Sequence, residues 1–174
     1  MALYLIELTP ATASKDEATA LIETVSNSLS EGAELIETQV SADHKLIFAI
    51  IESENTTFAP ALTAAIGERA SVVGPDEVRL VGAELDDIKK LKKDADYLVE
   101  WDIPAEITME QYLTRKKANA PKYAEVPEVS FLRTYVREDT AKCLCFYDAP
   151  DEDAVLRARK AVSTPIDRLF KLHA

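Results

Sequence analysis

The chain has 174 residues, of which 47% are apolar and 29% charged, enough for one ordinary domain or two small ones with a real core. Its formal charge of −11, from 31 acids against 20 bases, disfavours nucleic acid and anionic membranes as partners, since both need a concentrated basic face. The longest apolar run, Leu46 to Ile51, falls far short of the ~20 residues that span a bilayer, and the first residues lack the basic flank of a signal peptide, so a cytoplasmic protein is expected.

The first strand is centred on Tyr4-Leu5-Ile6-Glu7. A helix follows over Ser14 to Ser30, with Ala18, Leu21, Ile22, Val25 and Leu29 stepping by three or four, and Ser14 with Glu17 forming a capping box. Glu34–Val40 and Lys45–Ile51 make a hairpin around a turn at Ala42-Asp43-His44. A second helix spans Thr56 to Glu68, and Val78–Val81 closes the unit as a strand. The order then recurs. Tyr97-Leu98-Val99-Glu100 is a strand, Thr108 with Gln111 opens a helix to about Ala118, and Val129–Val136 and Lys142–Tyr147 form a hairpin around Glu138-Asp139-Thr140. Asp151 to Val162 is a helix whose acidic start suits the positive end of its dipole, and Asp167–Phe170 is the last strand.

Each half therefore reads β-α-β-β-α-β, the ferredoxin-like plan. The Tyr-Leu-x-Glu strands lie 93 residues apart and the hairpins, aligned on Lys45 and Lys142, lie 97 apart. The extra residues fall in the first helix and its exit, where the second half carries Ala120 to Pro127. The expected fold class is α+β, with two tandem ferredoxin-like units packed sheet to sheet as a pseudo-dimeric α+β barrel or sandwich. The expected boundaries are 1–83 for the first unit, 84–95 for a charged helical linker (Asp86 and Asp87 against Lys89 and Lys90), and 96–174 for the second unit.

The two cysteines, Cys143 and Cys145, alternate on one strand face. At i, i+2 their spacing is too wide for a disulfide in a regular strand, and no partner pair exists to complete a zinc site. They are expected to be small, buried, reduced thiols.

The second half resembles a bacterial ferredoxin-like family with nickel-binding members, long catalogued as a domain of unknown function. The residues that carry the likeness are Tyr97–Glu100, Thr134-Tyr135-Val136, Lys142 through Glu152, and Thr164–Leu169. The resemblance implies the fold and an association with nickel. Where it implies histidines, before the hairpin tyrosine and inside the second helix, this chain has Arg133 and Ala158, which cannot ligate a cation. Weak, non-stoichiometric nickel binding is expected, with no other cofactor.

Glu7 and Glu100 stand at the same step of the two first strands, among apolar neighbours, with Asp102 on the face of Glu100. Burial would raise their pKa values and suit them to proton transfer; alternatively they are solvated or paired with arginine. Arg133 and Tyr135 share a face with Phe131, a wall suited to a small carboxylate or phosphate, or else Arg133 neutralises Glu100. His44 and His173 have no ligand neighbours, Trp101 and the tyrosines read as core rings, and the four isolated glycines make no phosphate loop. Three functions stay open. The first is a non-catalytic protein binding a small molecule or metal ion between the two sheets through Glu7, Glu100, Asp102, Arg133 and Tyr135. The second is a cofactor-free α+β barrel enzyme, an isomerase, cyclase or oxygenase-like catalyst with a Glu general base. The third is a structural module for homo-oligomerisation.

Overall fold

The structure, a computed structural model, describes residues 1–91 and 93–172; His173, expected as a surface histidine, lies outside the described residues. The chain is α+β and divides into two compact units, Met1–Val78 with Leu85–Lys92 and Leu172–Ala174 in the first, and Arg79–Glu84 with Lys93–Lys171 in the second. In chain order the elements are β1 (Ala2–Pro10), α1 (Lys15–Ser28), β2 (Ala33–Val40), β3 (Ile47–Ser53), α2 (Ala59–Ile66), β4 (Ala70–Val81), α3 (Leu85–Lys89), β5 (Tyr97–Asp102), α4 (Met109–Asn119), β6 (Ser130–Arg137), β7 (Lys142–Asp148), α5 (Glu152–Ala161) and β8 (Arg168–Lys171). The charged stretch between the halves is helical only over Leu85–Lys89, and Lys89 reaches Glu52 at 3.1 Å and Glu34 at 3.4 Å.

In the first unit the strands run antiparallel in the order β2-β3-β1-β4. Ser14 caps α1 by accepting the Glu17 N–H at 3.1 Å. The Glu17 carboxylate takes Arg69 Nε at 3.0 Å. Ala18, Leu21 and Val25 of α1 pack with Leu62 and Ile66 of α2 onto Tyr4, Ile6, Leu8, Ile47, Ala49 and Ile51 of the sheet. Helix α2 begins three residues later than its apolar pattern suggests, because Asn55 Oδ1 accepts the Thr57 N–H at 3.0 Å and holds that stretch in a turn. Strand β4 begins at Ala70, well before Val78. In the fold Gly74, at φ +102°, absorbs the register shift between Leu5 and Glu7 of β1 inside a continuous strand.

The second unit repeats the plan with the order β6-β7-β5-β8. Thr108 and Gln111 form the full capping box at the start of α4. A 3-10 turn over Ala120–Glu125 takes up the residues that the first half lacks. Asp151 caps α5, its carboxylate accepting the Ala154 N–H at 2.8 Å.

Strand register shows how deep the repeat runs and corrects its offset. Phe48 stands opposite Glu7 and Leu144 opposite Glu100, so the hairpins are 96 residues apart, not 97. The bulge of β2 between Leu35 and Glu37 recurs in β6 between Phe131 and Arg133. Both turns place one residue at positive φ, His44 at 61° and Thr140 at 59°. Each closes with the same 2.8 Å backbone bond, His44 N–H to Ser41 and Thr140 N–H to Arg137. In each, an aspartate (Asp43, Asp139) accepts the N–H two residues on at 3.0 Å. The matching lysines had misaligned the pair by one residue, because charge alone carries no register.

Candidate functional site

The acids singled out by the repeat have different settings. Glu7 is half-buried on β1 of the first unit, on the sheet face opposite the helices. Glu100 is 3% exposed on the matching face of β5. Its carboxylate is held by Arg168 and by Lys142, the latter at 3.4 Å. Arg168 also donates to exposed Asp102 at 2.5 Å, and that bond holds the Asp102 carboxyl below its ordinary range. Tyr135 and Glu100 flank Leu144 in one cross-strand row, and Arg133 lies in the next row, 5.0 Å above the Phe146 ring. In the second unit the nominated residues thus share one sheet face, and Glu100 and Asp102 form an ion network around Arg168.

A more chemically unusual site lies on the other face of the same sheet, under α4 and α5. Here a small pocket, with about 40 Å³ of room for water-sized groups, is lined by side chains from both helices and three strands. Helix α4 contributes Tyr112, Arg115, Lys116 and Asn119, spaced three and four apart on one helical edge. The sheet contributes Trp101, Phe131 and Cys145, the 3-10 turn contributes Tyr123, and α5 contributes Arg159. Tyr123 stacks on Phe131 with centroids 5.5 Å apart and planes within 5°. Arg115 lies 5.3 Å from the centre of the Trp101 ring and donates to the Ser163 carbonyl. Lys116 sits 4.3 Å over Phe131.

The polar centre of this pocket is Arg159, 2% exposed. It donates to the Tyr147 hydroxyl at 3.1 Å and to the Pro165 carbonyl at 2.6 Å. Tyr147 and Tyr123 share a hydroxyl–hydroxyl bond of 2.6 Å. Burial pushes the Tyr123 phenol up to about 12 and raises the Tyr112 and Tyr147 phenols as well, so all three are neutral at physiological pH. Burial opposes the charge on Arg159, but Cys145 and Tyr147 beside it more than offset that and hold it protonated. The two thiols are free and buried, as expected, and their sulfurs approach to 4.0 Å, closer than the spacing of alternate positions on the strand. Their mutual hydrogen bond favours the thiolate at Cys145, helped by Lys116, Arg159 and the Thr134 hydroxyl at 3.2 Å, and disfavours it at Cys143. Among the described residues, three cations and no carboxylate line the pocket, in a chain of net charge −11.

The first unit serves as an internal control. At an offset of 96, Ile47, Ala49 and Ile51 occupy the places of Cys143, Cys145 and Tyr147, and at 93 Leu8 occupies the place of Trp101. Apart from Tyr4, which Tyr97 matches, the hydrophobic cluster of that helix-facing layer is aliphatic or phenylalanine, and the buried polar residue that continues the β3 alternation is the small Ser53. The same fold closes there without an arginine, a thiol or a second tyrosine. Burying a guanidinium and phenolic hydroxyls costs free energy that an aliphatic layer avoids. Sequence reading placed the aromatics in the core and passed over Tyr112, Arg115, Lys116 and Arg159. A signal existed: Arg159 falls in the buried stripe Ala154, Val155, Ala158 of α5, where an exposed arginine has no place.

Residues 97–172 match a family model described as nickel responsive protein SCO4226-like, so the second half resembles that family as its strand and hairpin residues indicated. No curated protein matches the chain. Among solved structures, a putative chlorite dismutase is 15% identical, covers 100% of this chain and 96% of its own, with a TM-score of 0.59. A putative monooxygenase from Fusobacterium nucleatum subsp. nucleatum is 13% identical over 98% of this chain and 90% of its own, TM-score 0.54. SCO4226 from Streptomyces coelicolor A3(2) is 17% identical, covering 44% of this chain and 94% of its own, TM-score 0.38. The first two share the fold over the full length. The family description raises nickel, and the residues present do not fit it as a resident ion. Residues 97–172 contain no histidine. Ala158 lies on the fully buried face of α5, and Arg133 is a buried guanidinium. Among the described residues no three His, Cys, Asp or Glu side chains are grouped to hold a metal. No helix among them is long and apolar enough to cross a membrane.

Proposed function

We propose that this chain is a small-ligand-binding protein that works without catalysis and holds its ligand in the helix-to-sheet pocket of the second unit. The observation that carries the reading is the contrast between the repeats: one fold, one register, an aliphatic layer in the first unit and a charged, aromatic, thiol-bearing pocket in the second. Groups that folding does not require, gathered around one concavity, are the usual mark of a binding site. Glu100 and Asp102, engaged with Arg168, then belong to the scaffold.

The single tryptophan, Trp101, lines this pocket and reports on it directly. Screening the full chain against anionic, neutral and cationic small molecules by tryptophan emission and thermal shift should find compounds that saturate both signals at one per chain. Ligand at a hundred times its Kd should add about 2.7 kcal/mol to stability. If no compound of any charge moves either signal, the reading fails. Recovery of the bound compound unchanged supports a non-catalytic role. A transformed compound, or one attached to Cys145, would instead favour the cofactor-free enzyme, with the Cys145 thiolate as its nucleophile.

A further inference from the structure

Resting on that reading, we infer that the ligand is a flat aromatic monocarboxylate, with its carboxylate on Arg159 and Tyr112 and its ring among Trp101, Tyr123 and Phe131. Among the described residues, three buried side-chain polar atoms lack a hydrogen-bond partner of good geometry, Arg159 Nε, the Tyr112 hydroxyl, which has only the weak Cys143 thiol beside it, and Gln39 Oε1, and the first two belong to residues lining this one pocket. Both residues are more than nine-tenths buried. Both orphan groups are donors, an N–H and an O–H, and buried donors without acceptors are rare in folded proteins. A ligand that satisfies the two together must bring an acceptor with more than one lone pair, and a carboxylate does so.

Charge selects the same class. With Cys145 as thiolate, the three cations still leave an excess of two positive charges, and no carboxylate of the chain lines the pocket to offset them. A cationic ligand would be repelled, and a neutral one would leave the excess unanswered. Shape argues against a bare inorganic anion. Beyond the donors the walls are aromatic, with the Tyr123–Phe131 stack on one side and Trp101 under Arg115 on another, which offers a flat apolar body more contact than an ion could use.

The test compares 2-naphthoate with its neutral isostere 2-naphthamide and with sulfate, by Trp101 emission and calorimetry on the full chain. The naphthoate should bind at least about tenfold tighter than the amide, the span expected of charge-assisted bonds, and sulfate should not compete. Tyr112→Phe removes only the hydroxyl and its weak contact with the Cys143 thiol. It should leave the melting midpoint unchanged or raised while cutting the preference for acid over amide severalfold. Arg159→Met should abolish that preference, but it also removes the bonds to Tyr147 and Pro165, so Tyr112→Phe carries the test if that variant does not fold. Equal binding of acid and amide, an unchanged preference in Tyr112→Phe, or full competition by sulfate would overturn the carboxylate assignment and leave a pocket for some other ligand. Failure of both naphthalene probes, while other compounds from the screen bind, overturns the assignment in the same way. Failure of every compound of every charge removes the binding reading itself.

Discussion

Glu100→Gln tests whether the repeated acid is scaffold or site. The side chain is 3% exposed, Arg168 and Lys142 both reach its carboxylate, and Arg168 also binds Asp102 at 2.5 Å. The amide keeps one acceptor for Arg168 but loses the charge assistance of two contacts, each worth about 1.5–3 kcal/mol. The gain from no longer burying a carboxylate offsets part of that, so the expected net loss is about 2 kcal/mol, or roughly 4–8 °C in melting midpoint for a chain of this size. A double-mutant cycle with Arg168→Met should return a coupling energy of about 1–3 kcal/mol. Acid titration adds an independent reading. Asp102 has its pKa lowered in the folded state, chiefly by the Arg168 bond, so its contribution is complete above the ordinary aspartate value and lost as pH falls through the lowered one. That acid-side loss should persist in Glu100→Gln, where Arg168 still holds Asp102, and shrink in Arg168→Met. A midpoint unchanged or raised in Glu100→Gln, together with an additive cycle, would refute the scaffold reasoning and return Glu100 to the list of candidate functional acids.

Three further outcomes are expected. Gly74→Ala places a Cβ 2.5 Å from the Leu5 carbonyl at φ +102° and should cost about 2–4 kcal/mol by urea denaturation, whereas an unchanged midpoint would show that β1 and β4 can separate there. A thiol reagent should titrate no cysteine quickly in the native chain and two after unfolding without reductant, since Cys143 and Cys145 are free and buried; fewer than two would reveal an oxidised pair. Nickel calorimetry on a tag-free sample should give weak, non-stoichiometric heats, and a tight one-to-one isotherm would show that ligands outside the family positions Arg133 and Ala158 had assembled a site.

The elements were legible because each is specified locally. Ser14, Thr108 and Asp151 cap their helices through bonds to residues three positions away, and such signals survive without a fold. The alternation of Cys143 with Cys145 foretold two thiols on one face that do not bridge, because strand geometry sets the spacing of alternate positions. Misjudged boundaries share a cause as well. Val78–Val81 is only the end of β4, whose earlier residues from Ala70 join the sheet by pairing with β1, some seventy residues earlier in the chain.

The sequence by itself determined the two β-α-β-β-α-β units, their repeat and the resemblance of the second to the SCO4226-like family, because periodicity, capping and turn chemistry are written within a few residues of one another. Only the tertiary structure decided which acids are neutralised and which cations gather. Arg168 reaches Glu100 and Asp102 across 68 and 66 positions of chain. Tyr112, Cys145 and Arg159 meet in one pocket from two helices and a strand. Coulomb energy and desolvation depend on distance in space and on what excludes water. Neither can be read along the chain until packing has brought the charges together.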